Sequence, residues 1–169
     1  MEKRREFLTE IGEAVNSVMI RYWELQGHVM QPSRFIEEME LDIDPQEFSV
    51  SGTSVHYHKY VRHGVSAGRI PYTRGSGAGS SKYIEGLTRY VKNRMGLQGV
   101  EAVSVAFAIA NVHKQEGMPT QASRAYSQTG ERTRFVENAI EEIERDQILD
   151  EIIDRYFGEE IIDKQIMAD

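Results

Sequence analysis

Ala102-Val103-Ser104-Val105-Ala106-Phe107-Ala108-Ile109-Ala110-Asn111-Val112 is the stretch whose reading decides the fold. Ala, Val, Phe or Ile fills every position except Ser104 and Asn111. No single face is polar, and a run of this kind belongs inside a fold, covered by other elements. Eleven residues are too few to cross a bilayer. The expectation is a central buried helix that opens after Gly99 and closes at Gly117, with Pro119 just beyond to prevent continuation.

On the N-terminal side, Phe7, Leu8, Ile11, Val15, Val18, Met19, Tyr22, Trp23 and Leu25 recur at three- and four-residue steps, which predicts a long amphipathic helix. Gly27 and Pro32 end it, and Ser33 to Met39 has room for one short helical turn. The Asp-rich segment from Leu41 to Pro45 reads as a connection, without the spacing or the glycine of a calcium loop. Phe48, Val50, Val55, Tyr57, Val61 and Val65, interrupted by Gly52, suggest a short hairpin with Val55 to Val61 extended. A Gly-, Pro- and Ser-rich loop follows. Beyond it, Tyr83, Ile84, Leu87, Tyr90 and Val91 form the apolar stripe of a helix capped by Ser80 or Ser81, with Lys82, Arg89 and Lys92 on the opposite face.

On the C-terminal side, Met118 to Glu131 reads as a second loop. A further long helix is predicted over Thr133 to Phe157 and is broken at Gly158; Ile161, Ile162 and Ile166 then continue an apolar stripe suited to docking on a neighbouring subunit. The fold class is therefore α+β and helix-dominated, with long N- and C-terminal helices and a central buried helix packed on a small antiparallel β-sheet or hairpin. One domain is expected over residues 1–157, with a long loop at 64–80 and a C-terminal arm at 158–169.

Cysteine is absent, which removes disulfides and thiolate metal sites and fits a reducing compartment. The N-terminus leads into an amphipathic helix rather than the apolar core of a signal peptide, so secretion is not expected. The formal net charge of −7 conceals a block pattern. Setting Lys and Arg against Asp and Glu, residues 1–51 carry 5 against 11, residues 52–98 carry 8 against 1, residues 99–136 carry 4 against 3, and residues 137–169 carry 3 against 12. The chain reads acidic, basic, near-neutral, acidic. Such blocks serve as solvated helix faces or pair between neighbouring subunits, where they fix register.

Three constellations invite a chemical reading. His56, His58 and His63 have a spacing that could hold a divalent metal, although no Asp or Glu lies between Gly52 and Tyr83 to act beside them; surface or interface histidines are the default. Gly75 to Lys82 has the glycines of a phosphate loop but not Gly-Lys followed by Ser or Thr, so a flexible joint is the plainer reading. The eight cations of the basic block are interleaved with Tyr57, Tyr60, Tyr72, Tyr83 and Tyr90, a surface suited to nucleic-acid phosphates or to an acidic patch on another chain, including a second copy. With no cysteine and only part of a Gly-x-Ser-x-Gly elbow, the sequence presents no nucleophile.

The order of features is itself informative. Tyr57-x-x-Tyr60-Val61-x-x-Gly64, a Gly/Pro loop, a helix bearing Tyr90-Val91, Ala106-x-Ala108-Ile109-Ala110 ending at Gly117, and Phe135-Val136-x-x-Ala139 resemble the head–tail joining and tail-completion (neck) proteins of tailed bacteriophages. The resemblance covers about residues 55–140. Arg62 departs from it, standing where the family usually has an acid, as do the length of the Met118 to Glu131 segment and the acidic extension beyond about Glu144.

The resemblance implies a structural virion protein without catalysis or cofactor. It would form a head–tail connector, tail-completion or tail-terminator ring, a hexamer or dodecamer, between portal and tail. It implies assembly in the host cytoplasm and location in the virion neck. Partners would be copies of itself, the portal or connector and tail proteins, and passing DNA held without sequence specificity; no membrane is involved. Under this reading Tyr57, Tyr60, Val61, Gly64, Ala106, Ala108, Gly117 and Phe135 are structural motif residues. Head-to-tail contacts need two different complementary surfaces. Lys59, Arg62, Arg69, Arg74, Lys82, Arg89 and Lys92 are expected on one, and Glu151, Asp154, Ile161 and Ile162 on the other. The competing readings are a metal-dependent nucleic-acid enzyme using His56, His58 and His63, and a cytosolic regulatory protein that binds a partner through its acidic helix.

Overall fold

A computed structural model describes residues 2–28, 34–54, 57–75 and 81–166. Its elements are α1 (Glu2–Leu25), α2 (Arg34–Glu37), β1 (Glu40–Asp44), β2 (Ser49–Thr53), α3 (His58–His63), α4 (Lys82–Met95), α5 (Gly99–Glu116), α6 (Phe135–Arg145) and α7 (Ile148–Ile166). Short 3-10 turns span Ala67–Arg69 and Ala122–Tyr126. The architecture is helix-dominated α+β with one two-stranded antiparallel sheet. No single helix among the described residues is long and apolar enough to cross a membrane. Where one domain over residues 1–157 was expected, the chain divides into two compact units, Met1–Arg62 with Ser127–Asp169, and His63–Tyr126.

The first unit is built along α1. Trp23 packs with Phe135, Val18 with Ala139 and Ile143, and Phe7 and Leu8 with Ile152. Contacts thus move toward the start of α1 as the chain advances through α6 and α7, so the two later helices run antiparallel to the first. The single helix expected over Thr133 to Phe157 is two helices. The break falls at Asp146 and Gln147, where Gln147 takes a positive φ of 53° and the Asp146 amide donates back to the Glu142 carbonyl. Gly158 lies inside α7 and does not end it.

The hairpin also differs from expectation. Leu41 to Pro45, read as a connection, contains the first strand, and Val55 to Val61 is not a strand: Tyr57 sits in a turn and α3 begins at His58. Val55 and His56 lie outside the described residues. The physical reason is alternation. Leu41 and Ile43 alternate with Asp42 and Asp44, the period of a half-covered strand, and pair with Gly52 and Val50. Asp44 closes the turn, its Oδ1 accepting from the Gln46 and Glu47 amides at 2.8 and 3.1 Å. The sheet packs on α1 at Gly12, where a Cβ would meet Val50 Cγ2 at 3.0 Å and Leu41 Cδ1 at 3.2 Å.

In the second unit, α4 and α5 meet at 114° across a turn opened by Gly96 at φ 69°, in the left-handed region that favours glycine. Ala102, Ala106 and Ala110, one turn apart, are completely buried, and their size lets neighbouring backbone approach closely. α5 is not buried all round: Val100 is 87% exposed, and Val103 and Val112 are 38% exposed. It packs on α4 and the Ala67–Arg69 turn of its own unit, whereas the hairpin belongs to the first unit and packs on α1. The segment expected as a loop at 64–80 is partly core, because Ile70 and Tyr72 are buried with Ile84 and Ala110. Residues 76–80, the glycine run, lie outside the described residues.

Two glycines explain how this segment is held. Val65 and Met118 form an isolated antiparallel bridge, amide to carbonyl at 2.7 and 2.8 Å. Gly64 (φ 73°) and Gly117 (φ 83°) flank it, and a Cβ on either would lie 2.4 Å from the Met118 carbonyl oxygen or 2.5 Å from that of Val65. Only glycine permits both the backbone angle and the approach.

Candidate functional site

Division into units sorts the charge. His63–Tyr126 carries eight Lys and Arg against three Asp and Glu, a net +5, which leaves twelve against twenty-four, a net −12, on the first unit. The basic unit also presents an open groove of about 510 Å³ along α4 and α5. Its α4 wall carries Ile84, Glu85, Thr88, Arg89 and Lys92, and its α5 wall carries Val103 and Phe107. Positions 84, 88 and 92 share one helix face, as do 100, 103 and 107 on α5. The groove therefore has one charged wall, on which Arg89 and Lys92 outnumber Glu85, and one apolar wall, and exposed Val100 extends the apolar side.

The residues expected on the basic surface have separate fates. Arg89 and Lys92 are exposed and line the groove; Lys82 is exposed at the start of α4, Arg69 on the 3-10 turn and Arg74 in the turn that follows. Lys59 is exposed, with its ammonium 5.2 Å from the Tyr60 ring centre, a cation–π distance. Arg62 is engaged within its own unit. Its Nε donates to Glu137 Oε1 at 2.8 Å, a second guanidinium nitrogen lies 2.7 Å from the same oxygen, and its carbonyl accepts from the Arg134 amide. This ties α3 to the start of α6 rather than offering a cation to a partner. On the acidic surface, Glu151 and Asp154 are exposed on α7 beside Ile153, which is 36% exposed. Ile161 and Ile162 belong to α7, with side chains outside the described residues.

The motif residues fall into two sets. Tyr57, Val61 and Phe135 gather around Trp23 in the first unit, where the Trp23 and Phe135 rings meet edge-on at 5.4 Å. Gly64 and Gly117 share the Val65–Met118 bridge of the second unit, and Ala106 lies in the buried stripe. Tyr60 and Ala108 are exposed and take no part in either core.

Histidine serves packing in both units. The Tyr83 hydroxyl and His113 Nδ1 share a hydrogen bond at 2.6 Å; burial lowers the His113 pKa and raises that of Tyr83. His28 lies against Trp23 with ring centres 4.6 Å apart and donates from Nε2 to the Arg132 carbonyl at 3.0 Å, and burial lowers its pKa as well. His58 and His63 are exposed at opposite ends of α3, and His56 lies outside the described residues. Among the described residues no group of three His, Asp or Glu is placed to hold a metal ion.

Sequence reasoning missed the apolar wall of the groove. The available signal was size: on α5 the alanine stripe at 102, 106 and 110 lies about a quarter turn from the bulkier Val100, Val103 and Phe107. The small stripe is the one that packs closely, which leaves Val100 and Val103 exposed and Phe107 only partly covered. Comparison with family models, with curated proteins and with solved structures yields no match.

Proposed function

We propose that the chain is a structural subunit of an oligomeric ring in the neck of a tailed bacteriophage, between portal and tail, assembled through head-to-tail contacts. The observation that carries the assembly role is the pairing of opposite surfaces on one chain: a +5 unit with an open, basic-edged apolar groove and a −12 unit with an exposed acidic helix. Heterologous contacts require two such different surfaces, and opposite charge steers encounter and fixes register. The phage setting is supported by the motif order from Tyr57 to Ala139. Four of its members, Gly64, Ala106, Gly117 and Phe135, stand where bulk or backbone geometry restricts the residue.

Two measurements test this. Light scattering of the purified chain across concentration should show an assembly larger than a monomer whose dissociation constant rises with salt, as screening predicts. Proteomic analysis and reconstruction of purified particles should place the chain at the neck. A protein found in infected cytosol and absent from particles would overturn the proposal.

A further inference from the structure

We propose that the α4/α5 groove seats helix α7 of a second copy of this chain. The inference rests on the ring reading above and deepens it by naming the two surfaces that meet. The groove is asymmetric, with Arg89 and Lys92 beside a single acid, Glu85, on one wall and Val103 and Phe107 on the other. α7 has the matching asymmetry. Its exposed Ile153 is flanked by exposed Asp150 and Asp154, and helical periodicity places 150, 153 and 154 on one side, with Glu151 further round the helix. A recess of about 510 Å³ holds several side chains but not a whole helix, so the fit is one face of a helix laid along the groove.

Availability of charge selects α7 over its neighbour α6, which also exposes an isoleucine, Ile140. Three of the four carboxylates of α6 are engaged, Glu137 with Arg62, Glu141 with Arg134 and Glu142 with Arg21, which leaves Glu144 alone beside Ile140, whereas α7 presents three. Among the described residues Asp150, Glu151 and Asp154 make no ion pair, and neither do Arg89 and Lys92. Because groove and helix are different surfaces, each copy would give one contact and receive one, which is the arrangement that closes a ring.

Charge reversal on each side tests this with the full chain. R89E/K92E and D150K/D154K should each weaken self-association about a hundredfold, since like charges are then opposed across the contact. An equimolar mixture of the two variants should recover assembly, because both junctions in an alternating ring are again complementary. The native chain has no cysteine, so V103C/I153C offers a clean cross-link; mild oxidation should give a ladder of disulfide-linked copies. Wild-type assembly that persists through both reversals would overturn the groove inference and leave the ring reading standing. A wild type that stays monomeric at every concentration would overturn both. A disulfide formed only within single chains would exclude the second copy as occupant.

Discussion

Along α1, the core of the first unit is made of rings and branched chains: Phe7 between Tyr156 and Phe157, Val18 on Ile143, Trp23 edge-on to Phe135. In the second unit three alanines of α5 are buried, Ala110 among Ile70, Tyr72 and Ile84, and just past the end of that helix the backbones at 64–65 and 117–118 come close enough to require glycine. The first seals helix against helix with large side chains; the second adds a seam where backbone meets backbone with no room for a Cβ. The first should therefore fail when volume is removed and the second when volume is added.

The largest expected effect follows from Phe135, 1% exposed against Trp23. Phe135→Ala should cost about 3–5 kcal/mol, read from the denaturant midpoint with a probe in the first unit. A cost below about 1 kcal/mol would show that the aromatic cluster is not the centre of that unit. Gly117→Ala should cost about 1–3 kcal/mol from backbone strain alone, because its φ of 83° and ψ of −164° belong to a region nearly exclusive to glycine. The loss should appear first in hydrogen exchange of the Val65 and Met118 amides, and unchanged protection there would contradict the close approach.

The smallest effect is pH-dependent. Burial depresses the His113 pKa, so the unfolded chain takes up the proton first as pH falls. Its stabilising contribution is full above the ordinary histidine value of about 6.5 and declines from there toward the folded pKa. His113→Gln should flatten the part of the stability–pH curve below 6.5 that comes from the second unit. An unchanged slope would remove His113 from the account.

Most helices were legible because apolar spacing survives in the sequence: the stripe from Phe7 to Trp23, the stripe from Ile84 to Val91, and the run that became α5. The first strand was hidden because Asp42 and Asp44 dominate the eye, although Leu41 and Ile43 carry the alternation. The break before α7 has no glycine or proline to announce it; Gln147 takes the positive φ instead. Ile70 and Tyr72 were read as loop because Gly, Pro and Arg surround them, and their burial comes from Ile84 and Ala110, distant in sequence. For the candidate site, Arg89 and Lys92 were legible as charges. The groove between them and Phe107 was not, since it forms where the chain bends by 114° and folds α5 back beside α4. Arg62 looked like surface charge until Glu137, 75 positions later, came beside it.

The chain leaves the first unit at Arg62 and returns at Ser127, so that unit must close around an excursion of 64 residues. Its seams are the Arg134 amide on the Arg62 carbonyl, the Gln26 side chain on the Thr133 carbonyl, and the Gln128 amide on the Leu25 carbonyl. Joining the ends of an unstructured excursion of that length costs about 4 kcal/mol in chain entropy. A structured excursion with a fixed separation between its ends removes much of that cost before the seams form. Synthesis order works in the same direction, because His63–Tyr126 is complete on the ribosome before α6 emerges. The contiguous basic unit draws only on local chain, whereas the acidic unit has to wait until both of its halves have been made.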